Sequence, residues 1–122
     1  MARCESPSQF GASGTANEVQ GMSRNASVWG LALGPGSVPP RVGDELKIVW
    51  RVTGSGPLRV TFTGPDDAKT PLVFGPERHS ASSYKRPGAE WGTGFRFTRA
   101  GCWHIRLART NASGDVWLRV DA

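Results

Sequence analysis

Glu45–Thr53, ELKIVWRVT, is the stretch on which the reading of the fold turns. Leu46, Ile48, Trp50 and Val52 alternate with Lys47, Val49, Arg51 and Thr53, the two-residue period of a strand with one face against a core. Immediately downstream, Gly54-Ser55-Gly56 leads into a second alternating run, Leu58–Thr63. Leu58, Val60 and Phe62 take its inward face, and Arg59, Thr61 and Thr63 its outward face. The short Gly-containing separation predicts a hairpin between the two strands.

Further out on both sides the same signals repeat. Upstream lie Glu18-Val19-Gln20 and Ser27–Leu33 (SVWGLAL), followed by Gly34–Asp44 (GPGSVPPRVGD), whose Pro and Gly density permits only turns and loop. Downstream, Gly64-Pro65-Asp66-Asp67 reads as a turn, because proline presets the backbone angle and aspartate bonds back to the main chain. Leu72–Phe74 reads as a short strand, and the polar Gly75–Gly88 as irregular. Glu90–Thr98 resumes alternation, with Trp91, Thr93, Phe95 and Phe97 on one side. Cys102–Arg109 places Trp103, Ile105 and Leu107 inward, and Gly114–Val120 does the same for Val116, Leu118 and Val120. Residues 1–17 carry no periodicity and read as a flexible leader, leaving 18–122 as the domain.

Seven to eight short strands with regular turn signals and no helical period predict an all-β fold, an immunoglobulin-like antiparallel β-sandwich. The segment Gly101-Cys102-Trp103-His104-Ile105 has the layout of that fold's aromatic corner. Trp103 stands where the corner tyrosine would be, and Ile105 replaces the usual inter-sheet cysteine. Trp50, Phe62, Phe95, Trp103, Ile105 and Leu118 are the expected core.

Composition bounds the rest. A chain of 122 residues suits one core, and although only 38% of residues are hydrophobic, five Trp and five Phe concentrate the apolar surface. The formal charge is +5, from twelve Arg and three Lys against ten acids. Such basicity raises the question of nucleic acid. Arg51, Arg59, Arg96, Arg106 and Arg119 are instead spread singly over outward strand positions, which reads as solvated sheet and argues against nucleic acid as the partner, although a shared face could still form a weak polyanion surface. No apolar run is long enough to span a bilayer, and Met1-Ala2-Arg3 precedes Cys4 without a signal peptide's apolar stretch. Two cysteines leave two readings open. Cys4 and Cys102 can form one disulfide, or Cys4 can carry a lipid while Cys102 stays free.

The segments Leu46–Gly56 (LKIVWRVTGSG), Phe74–Phe95 (FGPERHSASSYKRPGAEWGTGF) and Gly101-Cys102-Trp103 resemble a family of small uncharacterised bacterial lipoproteins. The resemblance covers most of the chain from Asn17 to Val120. It implies export to the cell envelope or the extracellular side, an immunoglobulin-like domain, membrane attachment only through a lipid on Cys4, and a free, structural Cys102. It implies no activity.

Catalytic signatures are sparse. Two histidines, His79 and His104, cannot build a multi-histidine metal centre, and Cys102 and His104 are too close on one strand face for a copper site. Serines near His79 lack a nucleophile elbow. No cofactor or metal is expected. The functional-looking stretch is Glu77–Trp91, which gathers His79, Tyr84, Arg86, Glu90 and Trp91 on a long loop entering a strand. Loops on a rigid sandwich are a usual place for binding, and aromatics beside Arg and Glu suit a sugar ring or peptide. In the competing structural reading, Tyr84 and Trp91 pin the loop and Arg86 pairs with Glu90. The expected function is a non-catalytic binding or adhesion module of the cell envelope, with a glycan, cell-wall or protein ligand. The alternative is a small hydrolase-like enzyme using the same loop.

Overall fold

The computed structural model describes Cys4, residues 9–33 and residues 38–122; Gly34–Ser37 of the predicted Pro/Gly connection lie outside the described residues. Eight strands follow in order: β1 (Glu18–Gln20), β2 (Val28–Leu33), β3 (Glu45–Val52), β4 (Arg59–Thr63), β5 (Leu72–His79), β6 (Ala89–Arg96), β7 (Gly101–Ala108) and β8 (Ser113–Val120). They form a five-stranded sheet in the order β1-β2-β3-β6-β5 and a three-stranded sheet in the order β4-β7-β8. Every strand pairing within the two sheets is antiparallel. The molecule is therefore a two-layer antiparallel β-sandwich.

The inward faces are those the alternation assigned. Trp50, Phe62, Phe95, Trp103, Ile105 and Leu118 are all buried. Phe62 of β4 meets Phe95 of β6 at 4.4 Å between ring centroids, and Phe97 lies 5.1 Å from Trp103, so aromatic rings bridge the two sheets. Such pairs contribute beyond the area they bury. The indole nitrogens of Trp50 and Trp103 in the core are satisfied. The Trp50 indole donates to Thr93 Oγ1 at 2.9 Å, which donates in turn to the Ile48 carbonyl. Trp103 Nε1 donates to the Arg99 carbonyl at 2.9 Å, four residues upstream. The turn before this corner approaches the same indole so closely that a Cβ on Gly64 would fall 2.4 Å from it.

The predicted β3–β4 hairpin does not form: β3 pairs with β2 and β6, and β4 pairs with β7. Alternation alone cannot separate a hairpin from an arch between sheets, because both strands present one apolar face in either case. The outcome is fixed by Phe62, which packs on the opposite sheet, and by the β7–β8 turn. That turn takes up the polar groups of the intervening loop, with Thr110 N–H donating to Ser55 O, Ser55 N–H to Asn111 Oδ1 and Arg109 Nε to Gly56 O. Gly54 and Gly56 supply positive φ angles of 115° and 90° on the way.

β5 runs to His79 rather than ending at Phe74. Gly75-Pro76 sits on this edge strand within the register shift between Phe74 and Glu77 against β6, which is where a sheet accepts a proline. Gly92 and Gly94 reflect close packing: a Cβ on Gly94 would lie 2.3 Å from the Phe74 ring, and one on Gly92 2.9 Å from His79.

Cys4 and residues 9–17 are tied to the domain where the sequence suggested a free leader; residues 1–3 and 5–8 of that leader lie outside the described residues. Phe10 packs against the core, and Asn17 exchanges bonds with the backbone of Ala32. Cys4 is joined to Cys102, with Cα atoms 5.8 Å apart. This corrects the expectation of a free Cys102 and of Cys4 as lipid anchor, since a sulfur held in a disulfide cannot carry a thioether-linked lipid. The spacing between the two cysteines gave no hint, because the bond spans 98 residues and depends on Cys4 coming to lie against β7.

Two outcomes follow from this packing. Trp103→Ala is expected to cost about 3–5 kcal/mol in chemical denaturation, through the cavity and the orphaned Arg99 carbonyl. Thiol titration of denatured protein is expected to find no thiol without reductant and two with it, and Cys102→Ser to lower stability by about 2–4 kcal/mol.

Candidate functional site

Four of the five predicted site residues, His79, Tyr84, Arg86 and Glu90, lie at the outer face of the large sheet. Register across the large sheet places Trp29, Arg51, Glu90 and His79 side by side on its outer surface. The Ser80–Gly88 segment leaves the β5 edge and crosses this surface as a strap. Tyr84 and Arg86 reach Glu18 in β1, on the opposite edge. Val49, an outward residue of β3, is consequently buried.

Glu18 is the strap's fastening point. Its carboxylate accepts hydrogen bonds from Arg86 Nε and Nη2, Tyr84 Oη and Ser13 Oγ, each at 2.8 Å. The guanidinium of Arg86 also lies 3.6 Å from the Trp29 ring centroid, a cation–π contact that leaves the planar fork free to meet the carboxylate. The bidentate Arg86 pair, against the opposing effect of burial and with help from Ser13 and Tyr84, holds the Glu18 pKa down to about 2. Burial and then the Glu18 charge push the Tyr84 phenol up.

A second buried carboxylate, Glu90, receives His79 Nδ1 at 2.6 Å and Arg51 Nε at 3.3 Å. Burial would raise its pKa, but hydrogen bonds from Ser82 and His79 and the charge of Arg51 outweigh that and keep it below the usual carboxylate range. Arg51 also donates to the Gly88 carbonyl, clamping the end of the strap. The expected Arg86–Glu90 pair is thus replaced by two separate pairings, Arg86 with Glu18 and Arg51 with Glu90. Trp91 belongs to neither. It is buried on the inner face, with the guanidiniums of Arg109 and Arg78 at 4.8 and 5.5 Å from its ring centroid. Tyr84 is half-buried.

The outer face of the three-stranded sheet is arranged differently. Register brings Thr61, Arg106 and Asp115 into one row and Thr63, His104 and Trp117 into the next. The His104 and Trp117 rings stack at 4.1 Å between centroids and 7° between planes. Asp115 Oδ1 holds His104 Nε2 at 2.6 Å and Arg106 Nη1 at 3.4 Å, fixing both side chains around one carboxylate. Arg59 and Arg119 occupy outward positions of the same sheet, whereas Arg51 and Arg96 lie on the other. This platform was legible only as the outward half of the alternation in Cys102–Arg109 and Gly114–Val120. His104 drew attention as a possible ligand, but nothing in the order of residues pairs it with Trp117. Among the described residues, no three His, Cys, Asp or Glu side chains gather as a metal centre. No helix among the described residues is long and apolar enough to cross a membrane.

An antiparallel β-sandwich with one strapped face and one aromatic-bearing face is the class defined by these observations. Comparison with protein families, curated proteins and solved structures finds no match to the chain.

The strap makes a pH prediction. Glu18 has a folded pKa of about 2 against an ordinary 4.5, so its contribution is fully present above pH 4.5 and is lost as pH falls toward 2. Acid titration of stability is expected to lose on the order of 3 kcal/mol from this group over that window. Glu18→Gln should flatten that part of the profile, and Arg86→Ala should destabilise at neutral pH by leaving the carboxylate buried without its cation.

Proposed function

We propose that the domain is a non-catalytic binding or adhesion module of a cell envelope, acting on glycan or cell-wall material outside the cytoplasm. The observation that carries this reading is the stacked His104–Trp117 pair on the outer face of the three-stranded sheet. A flat aromatic surface takes the apolar face of a sugar ring, and hydrogen-bonding groups at its margin fix the ring's orientation. Asp115 and Arg106 stand at that margin, and their mutual pairing reduces the conformational entropy lost on binding. The ligand surface therefore moves from Glu77–Trp91 to the opposite sheet, because Tyr84, Arg86, His79 and Glu90 are engaged in holding the strap.

The immunoglobulin-like part of the reading is supported by strand order. β2-β3-β6-β5 over β4-β7-β8 corresponds to the ABED and CFG sheets of a constant-type domain, with β1 added at the edge. Trp103, bonded to a carbonyl upstream, stands in for the corner tyrosine. Export is supported by the Cys4–Cys102 disulfide, since such bonds persist in oxidising compartments, and by the resemblance of Phe74–Phe95 to exported bacterial proteins.

A glycan array probed with the oxidised protein, followed by titration calorimetry, tests the proposal. Trp117→Ala is expected to lower affinity for the bound glycan at least about tenfold, the scale of one lost aromatic contact, with the thermal midpoint shifted by only a few degrees. Undiminished binding by Trp117→Ala would remove the platform as the ligand surface.

A further inference from the structure

At the end of the three-stranded sheet, where β4 begins and β7 turns into β8, a cleft of about 390 Å³ opens between Arg59, Arg106, Arg109 and Asn111, with Asn25 and Thr110 completing its wall. The residues that line it include three arginines and no Asp or Glu among the described residues. Two of the three are preset. Arg109 Nε and Nη1 donate to the carbonyls of Gly56 and Val52 at 2.8 and 3.0 Å. Arg106 Nη2 donates to Ser113 Oγ at 3.2 Å, while its other terminal nitrogen reaches Asp115, outside the cleft, at 3.4 Å. Arg59 is exposed and has no partner among the described residues. Arg78 adds to the positive field, since it and Arg109 both lie over the Trp91 ring. Burial and then the charge of Arg78 hold the Arg109 guanidinium below its ordinary pKa, a crowding that a bound anion would relieve.

Guanidiniums fixed by backbone carbonyls keep their remaining N–H groups aimed, and a planar fork matches an oxyanion through paired hydrogen bonds. Asn111 and Thr110 bring neutral donors to the same wall. We infer that the cleft binds a tetrahedral oxyanion, the phosphate or sulfate ester of a carbohydrate whose sugar ring lies on the neighbouring His104–Trp117 platform. The carbohydrate half of this inference rests on the binding-module reading; the oxyanion site stands on the cleft alone.

The test is amide NMR and calorimetry on the full oxidised chain, titrated separately with inorganic phosphate, inorganic sulfate, a sulfated oligosaccharide and its desulfated counterpart. Phosphate or sulfate is expected to shift the amides of residues 106–113 and Arg59, and the tighter of the two identifies the ester. Arg59→Ala should weaken that binding about tenfold and Arg59→Glu should abolish it, with unchanged thermal midpoints because Arg59 holds no structural contact. Trp117→Ala should leave inorganic-anion binding intact while weakening the oligosaccharide. Absence of shifts at those amides, or wild-type anion affinity in Arg59→Glu, would overturn the oxyanion site. Anion binding that depends on Arg59, with an oligosaccharide no tighter than inorganic sulfate and indifferent to Trp117→Ala, would uphold the site and overturn its carbohydrate ligand.

Discussion

Contact between aromatic rings across the two sheets is the constraint from which the rest of the architecture follows. Phe62 and Trp103 belong to the small sheet, Phe95 to the large one, and Phe97 follows directly after β6, and together they fill the space between the layers. A strand carrying Phe62 must lie opposite Phe95 rather than beside β3, so the chain after Val52 has to arch from one sheet to the other. The same packing demands a turn without a side chain at Gly64, where the Trp103 indole occupies the space a Cβ would need. It also sets the direction of β7, and with it which residues of β7 and β8 point to solvent.

The outer faces divide the labour of stability and recognition. On the large sheet, two buried carboxylates organise a strap from edge to edge, and each is surrounded by donors that keep it ionised. A buried charge of this kind is strongly destabilising when its partner is removed, and it specifies one geometry for the segment that covers it. The strap hides apolar surface such as Val49 and consumes the polar groups that made Glu77–Trp91 look like a site. On the small sheet, no comparable strap is present among the described residues. There Asp115 holds His104 and Arg106, and the positive charge of the remaining arginines is left facing outward.

Much of this was legible in the chain. Period-two alternation assigned the core residues and the strand positions, since burial of one face is a local property that any pairing of the strands preserves. Turn chemistry marked Gly64–Asp67 for the same reason. The β3–β4 connection was misread because a hairpin and an arch share that pattern and differ only in the partner each strand finds. β5 was cut short because Gly75-Pro76 resembles a break unless the strand is known to be an edge. The polar and aromatic groups of Glu77–Trp91 stood out in the chain, but their partners did not. Glu18, the acceptor of Tyr84 and Arg86, lies 66 and 68 positions away in a three-residue strand.

By itself, then, the sequence determined that this protein is a β-sandwich and which side chains lie inside it, because alternation and turn residues act over a few neighbouring positions. Only the tertiary structure decided that Cys4 closes on Cys102, that Arg86 serves Glu18 while Arg51 serves Glu90, and that His104 stacks on Trp117. Each of those pairings depends on which strands become neighbours. That choice is made by the packing of two sheets against each other, and no local run of residues encodes it.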